Sequence, residues 1–159
     1  MEKLILASCS PRRSELLACA GIPFETVSPD VDESCDLPAC EAVSVLSARK
    51  ASAVGAMFPG RFVLAADTLV AVDGHPLGKP ADADGAVNML RALSGRTHQV
   101  YTGVSVLSPS GMMVSETDRS DVTFCDVPED EILAYVRSGE PMDKAGAYEI
   151  GRASCKERV

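Results

Sequence analysis

Apolar residues in this chain come in short runs separated by turn signals, a pattern of alternating strands and helices. Leu4-Ile5-Leu6-Ala7 predicts a short buried strand. A helix is expected from Pro11 to Ala20. Ser10 is a suitable N-cap, Pro11 suits a first helical position where no N–H is needed, and Gly21 follows the end. Phe24 to Ser28 predicts a second strand, and residues 29–37 a loop rich in proline and acids. From Ala39 to about Ala56, Val43, Leu46 and Val54 recur at helical spacing, with an end near Gly55. Phe62 to Ala66 and Leu69 to Val72 read as two strands leading into a turn at Asp73-Gly74. A third helix is expected from Asp82 to Leu93, with Asp82 or Asp84 near its cap. Val100 to Leu107 and Met113 to Phe124 predict a long hairpin around Ser108-Pro109-Ser110-Gly111. Pro128 to Val136 predicts a fourth helix, stopped by Gly139. This order implies an α/β domain with a mixed, twisted sheet flanked by helices.

The length of 159 residues suits one domain with a sizeable core. A 46% hydrophobic and 24% charged composition is that of a soluble globular protein. No apolar run is long enough to cross a bilayer, and the first residues lack the basic flank and apolar length of a signal peptide. A cytoplasmic protein with no membrane partner is therefore expected. The net charge of −8 and pI of about 4.7 argue against a broad grip on nucleic acid, which needs a basic face. The absence of Trp argues against base-stacking platforms. A small anion can still bind where a few basic groups are gathered against the general field. The cysteines at 9, 19, 35, 40, 125 and 155 form no CxxC pair and have no His cluster beside them. They read as reduced, mostly buried thiols rather than a zinc site or a disulfide framework.

The final stretch fits this pattern poorly. Glu149 to Val159 contains no strand signal and is net positive, with Arg152, Lys156 and Arg158 against Glu149 and Glu157. It resembles an in-frame translation of a sequencing-library adapter. The expectation is a domain over residues 1–148, incomplete at its C-terminus, followed by a non-native tail. A genomic locus encoding the tail would disprove this.

The strongest chemical feature is Ser8-Cys9-Ser10-Pro11-Arg12-Arg13, which joins a strand to a helix start. A helix N-terminus already offers free N–H groups and partial positive charge. Two arginines there are unfavourable unless an anion neutralises them, as a phosphate would. Solvated arginines on an exposed helix end are the plain alternative. In Ala65-Ala66-Asp67-Thr68 an apolar strand delivers a carboxylate at its end. Asp67 is then a hydrogen-bonded turn residue, a ligand for a hard cation, or a general base for water. Gly78-Lys79-Pro80 offers a lysine for phosphate, or a surface lysine. The segment Ser94 to Gly103 combines a glycine turn, Arg96, hydroxyls and His98, which alone reads as structural. Glu33 and Lys50, taken singly, read as solvated charges. Gly139 to Tyr148 packs acids, Lys144 and glycines into one expected loop that looks like a site. Together these pieces describe one chemistry: cations for phosphate oxygens, and carboxylates for a divalent ion and a water. No Walker A or dinucleotide fingerprint is present.

Six motifs in this order resemble the Maf-like nucleotide pyrophosphatases, the septum-formation-inhibitor family. They are S-x-S-P-R-R at 8–13, D-E at 32–33, A-D-T at 66–68, G-K-P at 78–80, S-G-R-T-H-x-V-x-T-G at 94–103 and G-E-P-x-D-K-A-G-A-Y at 139–148. The resemblance covers residues 3 to 148. It implies a mixed α/β fold of two lobes around a cleft, akin to inosine triphosphate pyrophosphatases. It implies hydrolysis of a nucleoside triphosphate to the monophosphate and pyrophosphate with a divalent cation, Mg²⁺ or Mn²⁺. By resemblance, Asp67 is the proton acceptor and Glu33 lines the cleft; the mechanism expected from these residues has Asp67 and Glu33 hold the metal. Ser8, Ser10, Arg12, Arg13, Lys50, Thr68, Lys79, Arg96, Asp143 and Lys144 are expected to contact substrate. The A-D-T and D-K-A-G-A-Y versions look like the branch acting on dTTP and UTP. A 7-methyl-GTP pyrophosphatase and a non-catalytic nucleotide-binding regulator of cell division are the alternatives, and a homodimer is an open alternative to a monomer. The family continues after Tyr148 with a Gly-Ile-Gln-Gly-like segment whose Gln bears on substrate choice. Here Glu149-Ile150-Gly151-Arg152 stands in that place.

Overall fold

The computed structural model describes residues 3–149, so Ile150 onward, and with it most of the expected tail, lies outside the described residues. The described chain divides into two compact units, in line with the expected two lobes. The first comprises residues 3–68 and 102–118, the second residues 69–101 and 119–149. The elements run β1 (Leu4–Ala7), α1 (Pro11–Cys19), β2 (Phe24–Val27), α2 (Ala39–Met57), β3 (Val63–Val72), β4 (His75–Leu77), α3 (Ala83–Leu93), β5 (Thr97–Leu107), β6 (Met113–Thr123) and α4 (Glu129–Arg137). The strands form one sheet in the order β2-β1-β3-β5-β6, with β4 also on β3. β1 lies parallel to both β2 and β3, while β4 returns antiparallel to β3, so the sheet is mixed.

The first unit is built on β1, the early half of β3 and α2. Ile5, Ala7, Val63 and Ala65 pack against Ala51 and Val54 of α2, with Val27, Phe58, Leu107 and Met113 around them. On α2 the buried positions Val43, Leu46, Ser47, Lys50, Ala51 and Val54 recur every three or four residues, forming one inward stripe. α1 closes in a Schellman motif, with the Gly21 and Ile22 N–H groups on the Ala18 and Leu17 carbonyls. At its start the Ser10 side chain makes no cap hydrogen bond, contrary to the expected role. The backbone N–H of Ser10 is instead used by Ser8 Oγ.

The second unit has its own core, in which Val70, Val72, Val87, Leu90, Leu93, Val100, Ile132, Val136 and Tyr148 are buried together. The turn at Asp73-Gly74 has φ values of 51° and 79° and pairs Val72 with His75, a two-residue hairpin that requires positive φ at both positions. Asp82 caps α3 by accepting the Gly85 N–H at 2.7 Å. Replacing Asp82 with Ala is expected to cost about 1 kcal/mol, read as a thermal midpoint roughly 2–4 °C lower.

His98 is wholly buried, with Nε2 2.7 Å from the Tyr148 hydroxyl and both rings edge-on to Phe124. It is therefore structural, as read. Its Nδ1 has no hydrogen-bond partner, and burial lowers its pKa below the ordinary value of 6.5. Below pH 6.5 the unfolded chain takes up a proton that the folded chain refuses. Stability is therefore expected to fall as pH drops from 6.5 toward the depressed value, by up to about 1.4 kcal/mol per pH unit. Urea midpoints between pH 7.5 and 5, compared with those of His98→Gln, check this; an identical slope in both would contradict it.

Three expectations need correction. The two strands expected on either side of Asp67 are one continuous strand, β3. The loop expected at 139–148 is a pair of 3₁₀ turns, Glu140–Asp143 and Ala145–Ala147, closed partly by the Gly146 N–H on the Gly78 carbonyl. The described cysteines are free but not mostly buried: Cys9, Cys19, Cys40 and Cys125 are exposed and Cys35 half-buried. Those four stand in connections or at helix ends, where the backbone itself faces water. Among the described residues no helix is long and apolar enough to cross a membrane.

Candidate active site

β1 stops at Ala7, opposite Ala65, while the parallel β3 runs on beyond it. Open α/β sheets bind ligands outside the carboxyl ends of their parallel strands. The segment Ser8 to Arg13 leaves β1 at that end. Ser8 is buried, and its Oγ accepts hydrogen bonds from the Ser10 N–H at 3.1 Å and Arg13 Nη1 at 3.2 Å. One hydroxyl thus fixes both the loop backbone and a guanidinium. Burial lowers the Arg13 pKa, and the charges of Asp67 and Glu33 counter that effect, so the guanidinium lies within electrostatic reach of both carboxylates. Arg12 is exposed in the first turn of α1.

Asp67 sits two residues past Ala65 on the same face of β3 and is 8% exposed. The sequence gives a strand end there because a carboxylate in an apolar strand is costly. The cost is offset by Lys50 from α2. Lys50 is 6% exposed, so its reading as a solvated charge is also corrected. Its Nζ lies 2.5 Å from Asp67 Oδ1 and 2.8 Å from Glu33 Oε1. Burial pushes the Lys50 pKa down, but hydrogen bonds to Asp67 and Glu33 outweigh it and leave it above the ordinary 10.5. The ammonium therefore persists at neutral pH. Its stabilising contribution is present below the ordinary lysine value and is lost only as pH rises through the higher one.

The spacing already contained this pair. Lys50 falls on the buried stripe of α2, and Asp67 continues the inward alternation Val63, Ala65 of β3. Thr68 leaves β3 on the opposite face, where its Oγ1 is 3.2 Å from Thr102 Oγ1. Thr102 lies in the motif at 94–103, but it and this contact were not among the expected site features. Nor were Ser47 and Ser105, whose buried hydroxyls meet at 2.7 Å.

The remaining candidate residues belong to the second unit. Lys79 is exposed after β4. Arg96 is exposed and places Nη2 2.5 Å from Asp73 Oδ2. Lys144 Nζ donates to Asp143 Oδ1 and to the Glu140 carbonyl, both at 2.7 Å. The Lys144 hydrogen bond holds the Asp143 carboxyl below its ordinary pKa, and Lys79 adds to this. Ser8, Arg13, Glu33, Lys50 and Asp67 are thus brought together in the first unit.

Glu33 and Asp67 supply hard oxygen donors of the kind that Mg²⁺ and Mn²⁺ take, and their oxygens converge on one point, now held by Lys50 Nζ. The donor set therefore fits a divalent cation. Among the described residues no group of three or more His, Cys, Asp or Glu is placed to hold a metal ion.

Comparison with known proteins places the chain in a family. A family model described as "Maf-like protein" matches residues 3–156. A dTTP/UTP pyrophosphatase of Symbiobacterium thermophilum is 52% identical over 158 residues, covering 97% of this chain and 80% of the relative. One of Moorella thermoacetica is 50% identical over 153 residues, covering 94% and 79%. The solved Ham1 protein of Staphylococcus aureus shares the fold at 15% identity, with a TM-score of 0.53 over 76% of this chain and 70% of that one. The fold is a mixed α/β sheet, and its candidate site sets an arginine near two carboxylates and a lysine. The chain belongs to the Maf-like protein family.

Proposed function

We propose that the chain hydrolyses dTTP and UTP to the nucleoside monophosphate and pyrophosphate. The observation that carries this reading is the convergence of Glu33 and Asp67 on Lys50, with Arg13 in electrostatic reach of both carboxylates. The names of the similar pyrophosphatases support the substrate class. Ser8, Ser10, Arg12 and Arg13 grip phosphate oxygens through hydroxyls, backbone N–H groups and planar guanidiniums. Asp67 accepts a proton from the water that attacks the α-phosphorus. Lys50, already held charged, stabilises the negative charge that grows on the departing pyrophosphate. Glu33 and Asp67 would hold a divalent cation, Mg²⁺ or Mn²⁺, which when bound would neutralise charge on the triphosphate. Most of the acceleration comes from placement and electrostatics.

The test is pyrophosphate release from a panel of triphosphates with Mg²⁺ or Mn²⁺. Rapid release from dTTP and UTP is expected. Turnover of 7-methyl-GTP alone would reassign the base. Binding without product would make the chain a nucleotide-binding regulator instead.

A further inference from the structure

Glu33 stands in an irregular connection, residues 28–38, yet its carboxylate meets a buried lysine at 2.8 Å. Something must fix the loop there, because an unrestrained loop carboxylate would spread over many positions and lose entropy on each productive visit. The side chain with the right contacts is Arg49. Its Nη1 donates to the Asp32 carbonyl at 2.5 Å and to the Ser34 carbonyl at 3.2 Å. These are the carbonyls immediately before and after Glu33. Asp32 adds an internal brace: its Oδ1 accepts the Ser34 N–H at 2.9 Å and its Oδ2 the Ser34 hydroxyl at 2.7 Å.

Arg49 and Lys50 are consecutive on α2. Successive helix positions are about 100° apart, so one turn presents Lys50 inward to Asp67 and Arg49 outward to the loop. The helix that buries the ammonium therefore also anchors the backbone delivering its second carboxylate. We infer that Arg49 is a positioning residue that clamps the backbone on both sides of Glu33 and so sets that carboxylate on Lys50. This rests on the pyrophosphatase reading above for its kinetic consequence, but not for its structural one. Arg49 acts only through Glu33.

The experiment compares wild type, Arg49→Met, Arg49→Lys, Glu33→Gln and the double variant Arg49→Met/Glu33→Gln. Pyrophosphate release from dTTP and thermal midpoint are measured on all five chains, and cleavage at Glu33 by a Glu-specific protease on the three that retain Glu33. Arg49→Met is expected to lower turnover roughly 10- to 100-fold, the size of a misplacement effect. The double variant should be no slower than Glu33→Gln. Arg49→Lys, whose ammonium can reach both carbonyls, should recover part of the rate. Arg49→Met should keep the wild-type midpoint, since Arg49 is not in the core, and should be cut faster after Glu33. Full activity in Arg49→Met, or losses that multiply in the double variant, overturns the inference. Protease cleavage after Glu33 that is unchanged in Arg49→Met also overturns it. If wild type releases no pyrophosphate, the pyrophosphatase reading fails by itself, and cleavage at Glu33 still decides whether the clamp exists. Asp32→Ala, which removes the brace without touching α2, should reproduce the faster cleavage.

Discussion

Replacing Asp67 with Asn is expected to lower the rate of pyrophosphate release from dTTP by at least ~100-fold, the usual scale of a lost general base. The substitution changes charge and basicity but almost no volume. Asn keeps a carbonyl oxygen where Oδ1 now accepts from Lys50 at 2.5 Å, and Glu33 remains at 2.8 Å to balance the ammonium. No buried cation is orphaned, so the variant should fold, with a circular dichroism spectrum like that of wild type. What disappears is the only charge on the inward face of β3 next to Lys50, and with it the group able to take a proton. Near-normal turnover in a folded Asp67→Asn protein would remove Asp67 from the chemistry. Lys50→Met makes the contrast. It leaves Asp67 buried beside Glu33 with no bridging cation, and is expected to cost stability as well as rate, by several kcal/mol.

A large loss of stability is also expected at Gly103. A Cβ at this position would lie 2.3 Å from the Val43 carbonyl oxygen, 2.4 Å from the Val43 carbonyl carbon and 2.8 Å from the Ser44 nitrogen. These are backbone atoms of α2, which cannot rotate away as a side chain could. Either β5 or the helix must shift by about an ångström, in an interior packed as densely as a crystal. Gly103→Ala is therefore expected at the upper end of overpacking effects, about 3 kcal/mol or more, read as a lower urea midpoint. Gly78→Ala is the control, because nothing lies within 4 Å of its added methyl. The damage should reach the site: Val43 is two helical turns before Lys50, so displacing α2 moves the ammonium relative to Asp67. If Gly103→Ala unfolds like wild type, the close approach of β5 to α2 is wrong.

Much of the architecture was legible because periodicity is set by geometry. The α2 stripe, the α3 cap at Asp82 and the two-residue turn at Asp73-Gly74 all follow from local spacing and turn chemistry. The break assigned at Asp67 shows where local reading stops. A carboxylate ends an apolar run on its own merits, and only a partner from an element 17 positions earlier makes it tolerable inside a strand. Lys50 was under-read for the same reason: its position in the stripe marked it as inward, while its chemistry alone marked it as solvated. Arg49 left no trace in the pattern at all. A half-buried arginine on a helix gives no sign that its donors will meet the carbonyls of residues 32 and 34. The exposed cysteines reflect a similar limit, since their burial depended on where connections fell rather than on residue type.

The aromatic cluster around His98 also gives the molecule an optical handle. The chain holds three tyrosines and no Trp, so its ultraviolet emission comes from tyrosine alone. Tyr148 is buried in the second core, bonded to an imidazole, and burial pushes its pKa up to about 12. Between the ordinary value of 10 and that raised one, its phenolate band should therefore emerge only as that core opens. Loosening of the second unit can thus be followed by light, with no label attached.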